Sequence, residues 1–475
     1  MGYKHGVYIQ EVPTSILPPR SVSASLPVVF GTAPVHRTEG KKVNEPVLCY
    51  TYAEAVKEFS CDDDWEKWTI SEFMKSMFSL FNVAPVVFIN VFDPAIHKAD
   101  VIDEEGTFID NKIILENSDI IEISMNSAAL GGAIEYIEND HFKFDSVTGE
   151  IEKMEGELDN VDSVFLTYSY ADPSLVDSDD ITGGIDPETY KLTGLELVNE
   201  IFPKFRLVPG QIVANGWSKD PAVAAIMNAK AENINGFLKA ITIIDIDDSL
   251  CPFYADLPEY KNKNNLVGKQ MVLCWPKVKL GDDIFNMSSQ VAPLIARTDG
   301  ENSGVPYKSP SNENLQMTAA VSNGLNVWLG QVEANYLNGN GITTCLNLIG
   351  GWKLWGNRTG IYPGSTDVKD SFIPVRRMFN WIGNTLALTY FQKVDFPLNK
   401  RLTETIVDSA NIWFNGLTAR QFILGGRVEV LLEENPSTDL MDGNIKFHVY
   451  VTPPSPAREI DFIMEYDPKY LENLF

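Results

Sequence analysis

Hydrophobic positions change period several times along the chain, and each change predicts a different kind of element. Near the start, Val7 and Ile9 alternate with Tyr8, Gln10 and Val12 as a strand does, and Pro13, Pro18 and Pro19 follow. Proline fixes φ and blocks helix, so the spacing predicts an extended arm with nothing local to bury it. Residues 26–30 predict a short apolar strand ended by Gly31. Ala53, Val56 and Phe59, then Phe73, Met77, Leu80 and Phe81, predict two helices, and residues 86–92 predict a buried strand. That order is the order of an α/β domain.

From about 98 to 185 the chain shows short alternations broken by turns. Phe142 and Phe144, for example, lead into Thr148-Gly149 and Ile151, which predicts an antiparallel β module. Helices and strands then resume. Asp186-Pro187 predicts a helix running towards Phe202, Asp220-Pro221 predicts another through Ala225 and Met227, and residues 240–246 predict an isoleucine-rich strand. Proline at the first helical position is the start signal in both helices. An α/β domain split by an insert is the simplest reading.

In the last third, Phe372, Val375, Phe379, Ile382 and Leu386 fall three or four apart, predicting a long amphipathic helix with Arg376, Asn380 and Asn384 on another face. Pro397 interrupts it, and Leu402, Ile406, Trp413 and Leu417 predict a second helix, making a helical hairpin beside a sheet. After Gly425-Gly426 the period falls to two. Val428, Val430 and Leu432, then Ile445, Phe447, Val449 and Val451, predict strands at 427–432 and 445–451 joined by a long loop. Pro453, Pro454 and Pro456 end that hairpin, and Ile460, Phe462, Met464 and Tyr466 alternate with Glu459, Asp461 and Glu465 as a last strand. An isolated strand is unstable in water, so each terminal strand needs a sheet edge, in its own fold or in a neighbour's.

The expected fold class is therefore multidomain, combining α/β and α+β parts. It has an arm at 1–20, a split α/β middle domain at 21–97 and 186–360, and an inserted antiparallel β module at 98–185. A C-terminal domain of helical hairpin and β-hairpin at 361–457 and a second arm at 458–475 complete it.

With 475 residues and 44% hydrophobic content, the chain can bury two or three cores. Its net charge is -27, and the segment from Lys98 to Glu200 holds 26 acidic against 5 basic residues. Such a balance argues against binding nucleic acid or an anionic membrane, and its placement in one block predicts an inserted acidic module. Residues 1–12 show no basic start followed by an apolar run, so no secretory signal is expected. No uninterrupted apolar stretch reaches the roughly 18 residues of a membrane helix, so no membrane insertion is expected. Cys49, Cys61, Cys251, Cys274 and Cys345 form no CxxC pair, which argues against a disulfide framework and a structural zinc site.

Candidate chemistry is sparse, and no cofactor is expected. His5, His36, His97, His141 and His448 are scattered and match no metal-ligand spacing. Gly339-Asn340-Gly341 lacks the Lys-Ser/Thr of a phosphate loop and reads as a turn after a helix. Asp245, Asp247 and Asp248 close the isoleucine strand, where α/β folds place ligands, and would support an alternative reading as a cytosolic enzyme with a carboxylate metal site. The competing reading is a solvated strand exit before Pro252. Trp352 and Trp355, flanked by glycines, suit packing or the stacking of a sugar or base.

The arm His5-Gly6-Val7-Tyr8-Ile9-Gln10-Glu11-Val12-Pro13, followed by Leu26-Pro27-Val28-Val29-Phe30-Gly31-Thr32-Ala33, resembles the start of contractile phage tail sheath proteins. The resemblance returns in Gly351-Trp352-Lys353-Leu354-Trp355-Gly356-Asn357-Arg358-Thr359. It then runs from Phe372 through Trp413-Phe414-Asn415-Gly416-Leu417 and Gly425-Gly426-Arg427 to Asp461-Phe462, leaving the acidic insert unmatched. It implies a structural subunit without an active site, stacked as hexameric rings around an inner tube and contracting to drive that tube through a target envelope. It implies further that arm residues Val7, Tyr8, Ile9 and Val12, and Ile460, Phe462 and Met464, add strands to sheets of adjacent copies. The recipient positions would be Val428, Val430, Leu432, Phe447, Val449 and Val451. The helical hairpin would face the tube, with Arg376, Arg377, Lys400, Arg401 and Arg420 as tube contacts. Besides copies of itself, the implied partners are the inner tail tube, baseplate and tail terminator proteins. The implied location is the host cytoplasm during assembly and then the tail sheath of a phage or phage-like particle. Strand periodicity by itself requires only that the ends find partners; neighbouring copies as those partners follow from the resemblance. A cell-surface lattice protein would also be acidic and self-associating, but is expected to carry a secretion signal.

Overall fold

The computed structural model describes residues 20–21, 24–128, 134–156 and 158–474; the expected arm residues Val7, Tyr8, Ile9 and Val12 lie outside them. The described chain is mixed α/β with several sheets and divides into two units. One takes in the described residues up to Ser218 together with Phe285–Gly304, and the other takes in Lys219–Ile284 and the chain from Val305 onward. Residues expected to form the split middle domain fall in both.

In the first unit, strands Val47–Cys49, Val86–Asn90, Leu26–Gly31 and Pro209–Val213 lie side by side in that order, the last three parallel. Every residue of Leu26–Gly31 and Val86–Asn90 is buried. Inner parallel strands are covered on both faces, which is why they read as continuous apolar runs and not as alternations. Helix Thr69–Met74 presses directly on this layer: a Cβ added at Gly31 would sit 2.2 Å from Thr69 Oγ1, so the approach needs glycine. The same helix buries Glu72, whose carboxylate accepts from Asn286 N at 2.6 Å, Asn286 Nδ2 at 2.8 Å and Asn215 Nδ2 at 3.1 Å. Those donors compensate the desolvation of the charge.

The acidic module begins at strand Lys98–Thr107, which pairs with Ser163–Ala171; Ile120–Asn126 and Glu135–Tyr136 follow in one antiparallel sheet. Phe142–Asp145, Glu150–Lys153 and Lys112–Ile114 make a second. Between them Met125, Phe142, Ile151, Val164 and Leu166 build a core of the module's own. Histidine–aspartate pairs tie the module down. His36 Nε2 lies 2.8 Å from Asp119 Oδ1, which also accepts from Arg37 Nε at 2.6 Å, and His97 Nε2 lies 3.3 Å from Asp180 Oδ2. Burial pushes the Asp119 carboxyl up, but the hydrogen bond from His36 and the charge of Arg37 outweigh it and hold the group below the ordinary carboxylate range. Because the folded-state pKa is depressed, this stabilisation is present above the unfolded pKa of about 3.9 and is lost as pH falls through the folded value. Urea denaturation should therefore find Asp119→Asn less stable than the parent at pH 7, by about 1–3 kcal/mol. The gap should close as pH drops below about 4. A gap that widens on acidification would contradict the assignment.

The helix expected from Asp186-Pro187 is absent. Asp186 Oδ1 instead accepts from the backbone of Glu188 at 2.8 Å and Thr189 at 3.3 Å, Tyr190 takes φ +56°, and Ile185 bridges back to Leu192. An aspartate that bonds the backbone two and three residues on can close a turn as readily as cap a helix. The helix begins only at Val198 and runs to Phe205. At Asp220-Pro221 the same dipeptide does start a helix, Pro221–Glu232, with Asp220 accepting from Ala222 N at 2.9 Å.

In the second unit, parallel strands Ile241–Asp245, Met271–Cys274 and Ile342–Asn347 are followed by antiparallel Trp352–Trp355. Ile244, Leu273, Trp275, Leu337 and Ile342 form their core. Helices Ile373–Tyr390 and Lys400–Ala419 make a hairpin, with Trp381 against Trp413 at 5.6 Å and Tyr390 Oη 2.7 Å from Ser409 Oγ. Its inner face meets a two-stranded sheet, Gly425–Glu429 with His448–Thr452, over Met378, Ile382, Ala410, Phe414, Leu417 and Val428.

The supposedly polar face of helix Ile373–Tyr390 is buried as well. Asn384 brackets the backbone of Lys239, accepting from its N–H at 2.9 Å and donating to its C=O at 2.8 Å, and Asn380 donates to Gln270 Oε1 at 2.8 Å. The segment around Trp352 and Trp355 anchors the start of this helix. Asn357 O accepts from Ile373 N at 2.9 Å, Thr359 Oγ1 donates to Asp370 O at 2.6 Å, and the Arg358 guanidinium lies 3.7 Å from the Phe372 ring centroid. These contacts give the segment a packing role.

Candidate assembly site

A two-stranded sheet has two outer edges, and here they differ. Val428 and Val449 lie opposite each other. Asn411, on helix Lys400–Ala419, accepts from Val428 N at 2.8 Å and donates to Val428 O at 3.1 Å. The Val428 backbone groups therefore point away from strand His448–Thr452, and Val428–Val449 is the non-hydrogen-bonded kind of antiparallel pair. By the same alternation the backbone groups of Phe447, Val449 and Val451 point outward on the other side. Among the described residues, none hydrogen-bonds to them. Their side chains pack against the core beneath the sheet. This is an open edge with an apolar underside.

Asn435 closes the loop end of the sheet, bonding Leu431 O at 2.8 Å, Lys446 O at 2.9 Å and Lys446 N at 2.7 Å. Sequence periodicity missed Asn411, Asn435 and Asn384 because an amide bracketing a backbone leaves no repeat in the pattern.

The expected recipient positions divide. Val428, Val449 and Val451 lie in strands, and Phe447 immediately precedes one. Val430 and Leu432 do not: the strand ends at Glu429, and Leu432 opens a 3-10 turn, Leu432–Glu434, with its side chain in solvent. Beyond Thr452 the chain has neither helix nor strand until Pro468, and Ile460, Phe462 and Met464 are 71, 88 and 94% exposed. Large apolar side chains that far into water mark a surface that pairs with something.

The expected tube contacts divide too. Arg376 and Arg377 are buried, and Arg376 Nη1 pairs with Asp370 Oδ1 at 2.8 Å while its Nε donates to Asn380 at 3.2 Å. Their charges serve the interior, so neither lies on a contact surface of the subunit. Lys400, Arg401 and Arg420 are exposed. Arg401 and Arg420 stand at opposite ends of a helix whose length, at 1.5 Å per residue, is about 30 Å, so they form no single patch.

The aspartates at the end of strand Ile241–Asp245 are engaged individually. Asp248 accepts from Asn323 N at 2.8 Å and pairs with Lys277 at 3.2 Å, while Asp247 accepts from Ser249 N at 2.9 Å and Ser249 Oγ at 2.6 Å. Among the described residues, no group of three or more His, Cys, Asp or Glu could hold a metal ion.

No family model matches the chain. It is 27% identical over 488 residues to the tail sheath protein of Burkholderia phage BcepMu, across 99% of this chain and 98% of that one. Its fold is similar to a chain of the anti-feeding prophage baseplate, with TM-score 0.59 and 15% identity over 98% of this chain and 100% of that chain. It is similar also to the anti-feeding prophage helical sheath in its contracted state, with TM-score 0.57 and 13% identity over 98% and 100%. End to end, this chain is similar in sequence to a phage tail sheath protein and in fold to the contracted helical sheath of the anti-feeding prophage.

Proposed function

We propose that the chain is a sheath subunit that polymerises by exchanging strands. The observation that carries this reading is the pairing of two unsatisfied features: the outward edge at Phe447, Val449 and Val451, and the exposed alternating tail at Ile460, Phe462 and Met464. Main-chain hydrogen bonds along such an edge supply affinity, and alternate side chains supply register. The tail does not turn back to its own sheet. Pro453, Pro454 and Pro456 hold the link in a stiff extended form and lack the positive-φ residues of a tight hairpin turn. The tail is thus delivered to another copy.

In this reading 458–475 and 1–20 are linking arms, with Val7, Tyr8, Ile9 and Val12 the pairing residues of the second. Domain 361–457 is the inner receiver, and 98–185 is an outward module whose removal leaves the receiver intact. Copies stack as hexameric rings around a tail tube, between a baseplate and a terminator, after assembly in the host cytoplasm. Lys400, Arg401 and Arg420 are then the cations left to face the tube. Exposed ion pairs contribute only about 0–1 kcal/mol each, so their effect is a sum over many copies. Contraction slides rings while the arms stay paired. No step in this reading requires a catalytic group.

Negative-stain microscopy of the purified full chain tests the reading. Hollow tubes of constant diameter are expected. Uniform small particles at every concentration would refute it.

A further inference from the structure

Two arginines withdrawn from solvent hold carboxylates: Arg37 pairs with Asp62 at 2.8 Å and with Asp119 at 2.6 Å, and Arg376 pairs with Asp370 at 2.8 Å. Arg358 is half-buried and pairs with none among the described residues. We propose that its guanidinium receives a carboxylate side chain of a second copy, a contact that rests on the copies polymerising as above.

Aromatic rings pack on this guanidinium. Its central carbon lies 3.7 Å from the Phe372 ring centroid and 4.3 Å from that of Tyr362. The N–H donors of an arginine lie in the guanidinium plane, where a ring stacked on the face does not use them. Inside the subunit they make one hydrogen bond, from Nη1 to Ser371 Oγ at 2.8 Å. Packing thus explains the faces of Arg358 and leaves its edge with donors to spare. Burial lowers its pKa from the ordinary arginine value, Tyr362 opposes that, and the charge of Arg458 nearby adds to it. Arg458 itself bonds the adjacent Glu459 at 2.9 Å. Two guanidinium groups near each other, one of them without a carboxylate, form a place where an incoming anion is favoured.

The charge balance of the chain favours a second copy as the source of that anion. With 65 acidic against 38 basic residues, copies repel one another, and association must set cations that lack an internal partner against carboxylates of the neighbour. A planar guanidinium and a planar carboxylate meet through two parallel hydrogen bonds, which fixes orientation as well as charge.

The test uses Arg358→Lys in the full chain, which keeps the positive charge and supplies an amine that a carbodiimide couples to a touching carboxylate. Tubes are grown from a mixture of isotopically light and heavy copies of this variant. Mass spectrometry should find amide bonds joining position 358 of a light chain to an Asp or Glu of a heavy one, and these should be lost when the chains are kept unpolymerised by dilution. Tubes without light–heavy adducts at position 358, or with adducts confined to one chain, would overturn the contact while leaving polymerisation standing. A parent chain that forms no tubes would overturn the polymer reading itself. If Arg358→Lys forms no tubes although the parent does, phenylglyoxal on the parent decides: Arg358 should react in dilute subunits and be shielded in tubes, and equal reactivity in the two states would overturn the contact.

Discussion

A chain ending at Pro456 should fold as the parent does and form no long tubes. Arg458 to Tyr466 is exposed throughout, so its removal uncovers no core, and the unfolding free energy should stay within about 0.5 kcal/mol of the parent's. Assembly should nonetheless fail, because the open edge loses its donor in every copy at once. The same outcome is expected when residues 1–14 are removed. Microscopy and denaturation together check this: tubes of normal length from either truncated chain would refute the role of the arms.

The second large effect separates folding from assembly at one residue. Val449→Pro removes a backbone N–H that faces away from the partner strand, so the hairpin loses no ladder bond. Proline is tolerated on edge strands for that reason, and the cost to the subunit should be about 1–2 kcal/mol. Tube formation should be abolished, because a carbonyl of the incoming strand loses its N–H donor at the centre of the edge. Tyr450→Pro is the control. Tyr450 pairs with Arg427 in the hydrogen-bonded position, so this change breaks the hairpin itself and should cost about 3 kcal/mol or more. Equal destabilisation by the two prolines would show that the edge assignment is wrong.

Much of the fold was legible because burial and period coincide. Fully buried parallel strands such as Val86–Asn90 leave apolar runs, and the helical hairpin leaves a three-or-four repeat. Where polar groups are buried, that link breaks. Asn380, Asn384 and Arg376 look like a solvated face, yet are consumed by backbone, amide and carboxylate partners inside the unit. Asp186-Pro187 and Asp220-Pro221 are indistinguishable by local signal. One closes a turn and the other opens a helix, because the residues downstream of each proline determine which backbone N–H groups remain to be capped. The tail alternates as a strand does, yet in the single chain it forms none, since alternation survives in the absence of a partner. Which edge stays open was not legible, because Asn411 bonds Val428 on the other edge through a contact spanning 17 residues that no periodicity records.

The central claim is that copies are joined by exchanged strands, and a cryo-EM map of the assembled tubes tests it most directly. A third strand should lie beside His448–Thr452 and trace through Pro453–Pro456 to a different copy. A map in which that edge is bare, or in which the tail pairs with its own chain's hairpin, would contradict the account.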